Sequence, residues 1–289
     1  LRADGILWEG AGYDEAGRPI FGLGCKGIAY FELRCQGPSH DLHSSVAGLV
    51  PNPAWRLVWA LSTLKNANDE ITLDGYLEHV APLSPEMWAA IDAVPMEFEA
   101  MRRRFGISGW LNGLSDHEAR RRYLAEPTIT ICGIESGYTG PGSKTVLPAE
   151  AMAKLDFRLV PNLTPELAQT LLRQHLDRRG FEDISITFLG GEGPAASPLG
   201  SLVERAAVAA SQDAWGKTPV VQPWFAGSGP MYSFSTVLGL PVIFAGGTWH
   251  PDARAHSPNE NILVEDYFRT VRFTGAFLHR FATLEADGA

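Results

Sequence analysis

Cysteine is scarce in this sequence: three residues in 289, Cys25, Cys35 and Cys132, with no CxxC pair. An odd, widely spaced set excludes a disulfide-stapled fold and a CxxC redox motif, and each thiol lies in strand-like apolar surroundings. Buried free thiols and a reducing, cytoplasmic setting follow as expectations. Positive charge is also short, with 24 Lys and Arg against 33 Asp and Glu. Nucleic-acid binding needs clustered cations to neutralise phosphates, so nucleic acid is excluded as a partner. The densest basic stretch, Arg102-Arg103-Arg104 with Arg120-Arg121-Arg122, lies in acid-containing helical segments and reads as a solvated face. No apolar run reaches membrane-spanning length, the opening residues lack the basic and apolar regions of a signal peptide, and no membrane partner is expected.

What is present suits a globular protein. Hydrophobic residues make up 45% and charged residues 20%, over a length that fits one large or two ordinary domains. The sequence opens Leu1-Arg-Ala-Asp4-Gly-Ile-Leu, without Met, and reads as the end of a buried strand entering a loop. The expectation is a fragment. Residues 20–36 alternate apolar, β-branched and aromatic residues and predict a strand. Asn52, followed by Pro53 and apolar residues at helical spacing, predicts a helix to Leu64. Residues 70–126 read as an inserted helical segment. Strands follow at 128–134 and 151–160, then a helix capped by Thr164, then a strand at 184–189.

The order strand, helix, strand, strand, helix, strand is the split βαβ pattern of a ferredoxin-like sandwich. After Gly190-Gly-Glu-Gly193, helices alternate with short apolar strands, which predicts a parallel-rich sheet with helices on its faces. The fold class is therefore α/β, with residues 1–25 and 191–289 forming part of one domain. Residues 26–190 form an inserted ferredoxin-like domain, with a helical insertion at about 66–126.

Five segments carry chemistry. Asp41-Leu-His43-Ser-Ser45 follows a strand and offers an imidazole donor for a developing oxyanion, or is a Ser-rich turn. Gly140-Pro-Gly-Ser-Lys-Thr145-Val-Leu-Pro148 can present amides and a hydroxyl to a carboxylate, or is a hairpin connection; its glycine spacing is not that of a phosphate loop. Arg158, in an apolar strand, needs a partner: a substrate carboxylate, or a structural acid such as Asp156 or Glu135. Phe225-Ala-Gly227-Ser228-Gly opens a helix with free amides, which suits an anion or needs no ligand at all. Arg254-Ala-His256-Ser-Pro-Asn-Glu260 places an imidazole on a rigid loop ahead of a helix running from Val264 to Ala282. That is a metal-ligand position or a capping loop.

Taken together and in order, these motifs resemble the carnosinase-like dipeptidases. Those belong to the dinuclear-metal peptidase family that also holds acetylornithine deacetylase and carboxypeptidase G. The match runs from about residue 2 to residue 282. The resemblance implies a zinc-peptidase α/β domain with an inserted ferredoxin-like lid that forms a homodimer. It implies that Asp4 and His256 are ligands of one metal and that His43 reaches across the dimer to polarise the scissile carbonyl. Thr145, Arg158, Gly227 and Ser228 would hold the backbone and terminal carboxylate of a dipeptide or N-acyl amino acid. Two Zn or Mn ions would lower the pKa of a bridging water.

Departures from the pattern accompany the match. The family's first ligand motif, His-x-Asp, and its Glu-Glu pair, which supplies the general base, precede the position of Asp4; no Glu-Glu occurs in this sequence. His250-Pro-Asp252 has the His-x-Asp spelling at the wrong end and reads as a loop coincidence. Leu189-Gly-Gly-Glu-Gly193 stands where carnosinase-like relatives carry a His. The expectation is a metallodipeptidase portion that is inactive and weakly metal-binding by itself. The alternatives are an N-acyl amino acid deacylase or a non-catalytic dimerisation module.

Overall fold

After β1 (Ile6–Gly12), the apolar run 20–36 forms three strands rather than one: β2 (Ile20–Gly22), β3 (Gly24–Cys25) and β4 (Gly27–Gln36). These and the features below come from a computed structural model, which describes residues 3–14, 16–250, 252–255 and 257–284, the Thr248 side chain apart. The run breaks because the chain meets backbone from far along the sequence. Leu23 N donates to Gln222 O and Lys26 N to Phe225 O, and a Cβ on Gly24 would lie 2.2 Å from Ala195 O. Only glycine permits that approach.

Beyond β4 come β5 (Leu42–His43), α1 (Pro53–Leu61), α2 (Pro85–Asp92), α3 (Phe98–Phe105) and α4 (Asp116–Ala125). Then follow β6 (Thr128–Ser136), β7 (Val146–Leu147), β8 (Glu150–Leu159), α5 (Pro165–Arg178) and β9 (Ser185–Glu192). The last elements are β10 (Ala195–Ala196), α6 (Leu202–Trp215), β11 (Val220–Gln222), β12 (Val242–Trp249) and α7 (Val264–Thr283). Two compact units result: Leu1–Lys26 with Pro82–Glu126 and Pro194–Ala289, and Gly27–Ala81 with Pro127–Gly193. The helical stretch expected at about 66–126 therefore divides, with 82–126 belonging to the first unit.

The second unit carries an antiparallel sheet in the order β6-β8-β4-β9. Counting its own strands, that is 2-3-1-4, the ferredoxin-like order expected from the sequence. β4 and β8 alternate buried and half-buried residues along their length. Their inward sides bring together Phe31, Leu33, Leu155 and Phe157 under Leu57 of α1 and Leu172 of α5. Both helices start where predicted: Asn52 Oδ1 accepts from Ala54 N, and Thr164 Oγ1 from Leu167 N.

One buried group sets a pH limit on this unit. His175 on α5 is fully buried; Asp74 N donates to its Nδ1, leaving Nε2–H for Thr63 Oγ1 at 2.9 Å. Burial holds the imidazole below its usual pKa, with nearby Arg179 acting the same way and Asp74 opposing. The neutral form is the folded form, so the contribution is whole above about pH 6.5. It is lost as pH falls from there towards the lowered folded value, at up to about 1.4 kcal/mol per pH unit. Thermal melts of the wild type should fall below pH 6.5, and His175→Gln should flatten that limb. Parallel curves would refute the assignment.

Cys25 and Cys35 are buried as expected, and burial pushes the Cys35 thiol up to about 11. Cys132 is exposed, a correction to the sequence reading. It sits in β6, an edge strand, where the register with β8 shifts between Ile131 and Gly133. A thiol reagent should label Cys132 in the folded protein and the other two only after unfolding; labelling of Cys35 at the same rate would contradict this.

The first unit has a four-stranded sheet in the order β1-β12-β2-β11. β1 runs parallel to β12 and β11 parallel to β2, while β12 and β2 are antiparallel, so the sheet is mixed. α6 and α7 pack on it through Val203, Ala207, Ala210, Phe273 and Phe277 against Phe21, Ile243 and Ala245.

Candidate functional site

Two of the predicted residues, 102 positions apart, meet in the second unit. β5 and β7 pair His43 with Val146, and Ser44 N donates to Thr145 O. Thr145 Oγ1 then lies 3.2 Å from His43 Nε2. Ser45 N donates to His43 Nδ1 at 3.1 Å, so Nδ1 is an acceptor and the proton of the neutral ring sits on Nε2. Asp41 steadies the arrangement, its Oδ1 accepting from Ala149 N. Both His43 and Thr145 are exposed. The result is an outward-facing imidazole N–H with a hydroxyl beside it.

Arg158 lies elsewhere on the same sheet. Its Nη2 donates to Asp156 Oδ2 at 3.0 Å, two residues back on the solvent-side face of β8. The structural partner named from sequence is therefore present, and Arg158 keeps about 30% of its side chain exposed. Arg158 pairs across the sheet with Ile28 and Thr128, whereas Glu150, next to the His43 segment, pairs with Gln36. Eight strand residues separate the two ends, roughly 26 Å.

In the first unit, Asp4 is exposed and precedes β1, at the end of the sheet where Ile6 N donates to Pro241 O. The loop after β12 lies at the opposite end, where Gly12 pairs with Trp249. His256 itself lies outside the described residues. Its neighbours Arg254 and Ser257 belong to that loop, closed by Asn261 N donating to Ala253 O. A carboxylate that sequence reasoning passed over, Glu9, is exposed on β1 opposite Ala245, five residues or about 16 Å further along the chain than Asp4. The signal was available: an acid inside an apolar strand, followed at once by Gly10 and Gly12. At Gly12 a Cβ would stand 2.0 Å from Trp249 O, so glycine is what lets β1 and β12 close at this end.

Gly227 and Ser228 are exposed in the segment after β11, which Phe225 N anchors by donating to Gly24 O. His250 is committed to the loop's own structure: its Nδ1 accepts from Asp252 N, and its Nε2 lies 2.8 Å from Asn261 Oδ1. Among the described residues, which do not include His256, no three His, Cys, Asp or Glu side chains gather to hold a metal ion.

Comparison with known proteins places these features. A family model described as a peptidase dimerisation domain matches residues 23–184. The chain is 35% identical over 164 residues to the Cys-Gly metallodipeptidase dug1 of Schizosaccharomyces pombe, covering 56% of this chain and 34% of that protein. It is 26% identical over 284 residues to the Beta-Ala-His dipeptidase of Rattus norvegicus, covering 93% and 56%. A solved M20 family metallo-carboxypeptidase, Sso-CP2 from Sulfolobus solfataricus, superposes with a TM-score of 0.94 at 37% identity, over 98% of this chain and 65% of that one. The chain spans about half the length of the curated relatives it matches most fully.

Proposed function

This chain belongs to the M20 peptidases through its peptidase dimerisation domain, and we propose that it forms the dimerising and C-terminal catalytic portion of a metal-dependent dipeptidase. The resemblance read from five motifs is borne out at the level of family. The observation that carries the activity is the His43–Thr145 pair. An imidazole whose Nδ1 is held by its own turn and whose Nε2 faces outward, beside a hydroxyl, suits a carbonyl oxygen that gains charge as its carbon becomes tetrahedral. Arg158, Gly227 and Ser228 are proposed to hold the substrate's terminal carboxylate and backbone, Arg158 by a forked contact.

The His43 and Arg158 sites are too far apart for one dipeptide, about 7 Å long when extended. A second copy is therefore proposed to supply one of them, in a homodimer. Suitable surface exists on the second unit: Trp55 and Trp59 stack at 6.0 Å on α1, both more than half exposed, with Val58 beside them. Contiguous exposed apolar surface of this kind marks interfaces.

Zn or Mn is the cofactor proposed from the metallopeptidase relatives. His256 is one proposed ligand, and of the two carboxylates Glu9 suits the loop's end of the sheet better than Asp4. Metal analysis should find less bound zinc in Glu9→Gln than in Asp4→Asn; the reverse order would favour Asp4, the ligand the resemblance implies. The general base is proposed to come from outside these 289 residues, and a cytoplasmic location remains part of the same reading. The decisive assay sets dipeptides, longer peptides and N-acyl amino acids side by side, with and without chelator. Chelator-sensitive dipeptide turnover supports the proposal. Preference for longer peptides would favour the carboxypeptidase activity in the name of the Sulfolobus relative, and preference for acyl amino acids a deacylase.

A further inference from the structure

The arginine triplet that reads as a solvated face resolves into three different situations. Arg102 pairs with Asp116 at 2.5 Å and Arg103 with Glu99 at 3.5 Å. Arg104 has no ion pair or hydrogen bond from its side chain among the described residues, and it lines a cavity of about 420 Å³ in the first unit. Glu97, at the N-terminal end of the same helix α3, lines that cavity too, and its carboxylate is likewise unengaged. Met101 lies between them. Positions i, i+4 and i+7 fall within about 60° of one another on a helix, and the outer two are about 10 Å apart along its axis. α3 therefore presents an acid, an apolar side chain and a base in a row along one wall.

The other walls are largely apolar, with Tyr123, Phe225 and Trp249 among them. The remaining charged side chain there is spoken for: Asp14 accepts from Arg18 at 2.8 Å. His250 is held by Asp252 and Asn261. A ligand entering this cavity thus meets one free carboxylate and one free guanidinium separated by apolar surface. That is the complement of a zwitterion with hydrophobic side chains. The volume lies within the range of about 300–1,000 Å³ usual for small-molecule sites. An extended dipeptide spans about 7 Å between its ends, and flexible Glu and Arg side chains can close the remaining gap.

We propose that this cavity binds a zwitterionic, dipeptide-sized ligand with apolar side chains, its ammonium on Glu97 and its carboxylate on Arg104. The cavity is a site separate from the one proposed to hold substrate on Arg158; it rests on the dipeptidase reading only for its biological sense, and the recognition chemistry comes from the cavity alone. Neither Glu97, the N-cap of α3, nor Met101 and Arg104 within it belongs to the proposed catalytic set.

The test is calorimetric titration of the purified protein, kept in chelator so that nothing turns over, with Leu-Phe, N-acetyl-Leu-Phe and Leu-Phe amide. Removing either terminal charge should weaken binding about tenfold, the loss of one charge-assisted contact. Arg104→Gln should bind Leu-Phe and its amide equally while still rejecting the acetylated form; Glu97→Gln should show the opposite selectivity. Both positions are exposed, so neither change threatens the fold. Equal binding of all three ligands, selectivity untouched by both variants, or no saturable binding would each overturn the proposal. A protein that cleaves dipeptides yet fails this titration sinks the cavity assignment alone. Charge-selective binding without cleavage by the metal-loaded enzyme sinks the dipeptidase reading alone.

Discussion

His43→Ala is expected to lower the kcat of the metal-loaded enzyme on a dipeptide by about 10²–10³-fold, the usual cost of removing one oxyanion donor, with KM little changed. The split follows from geometry. The ring touches Ser45 and Thr145 of its own unit and is otherwise turned to solvent, so its removal leaves no buried group unpaired. Its Nε2–H gains most when the substrate oxygen carries charge, in the transition state rather than the ground state. Arg158→Met should behave differently and raise KM, because a carboxylate is held equally before and during reaction. A His43→Ala enzyme with unchanged kcat would remove the imidazole from the mechanism.

The two variants also test where the halves of the site come from. If His43 of one protomer serves the Arg158 of the other, then His43→Ala and Arg158→Met homodimers are both impaired at every site. Mixing them after dissociation creates heterodimers in which one of the two sites is wild type throughout. Random reassortment should restore roughly a quarter of wild-type activity, because half of the dimers are mixed and each has one intact site. A site built within one protomer gives no recovery. The separation of roughly 26 Å along β8 favours recovery.

Sequence alone carried the second unit far. Strict alternation in 27–36 and 150–159 and the caps at Asn52 and Thr164 specify strands and helices whose order already implies the sheet. It carried the division between units less well, yet a marker was there. Of the four crossings, three fall immediately before a proline: Ala81-Pro82, Glu126-Pro127 and Gly193-Pro194. Proline holds the residue before it extended and cannot donate to a ladder, so pairing stops there. The His43–Thr145 meeting was not legible from periodicity, because β5 and β7 are two residues each and too short to show any. Cys132 was misjudged because Thr-Ile-Thr-Ile-Cys has a buried strand's composition, while an edge strand with a register shift has little to bury it.

Phe157→Ala should destabilise the second unit by about 3–5 kcal/mol, the cost of emptying a large aromatic site in a packed core. Phe157 is fully buried, meets Phe31 edge-on at 5.2 Å and Tyr76 edge-on at 5.9 Å, and sits on β8 between β4 and β6. Phe31 is held by the four-stranded sheet and cannot collapse into the space. For a unit of this size the midpoint should fall by roughly 10–20 °C, against only a few degrees for Phe157→Leu. The functional consequence follows from the neighbours in sequence. Asp156 and Arg158 flank the ring on the opposite face of β8, so the strand that buries Phe157 is the strand that aims the guanidinium. Loss of dipeptide affinity should therefore begin below the midpoint, at temperatures where the wild type still binds. A variant that melts early but keeps wild-type KM up to its own transition would separate the core from the site.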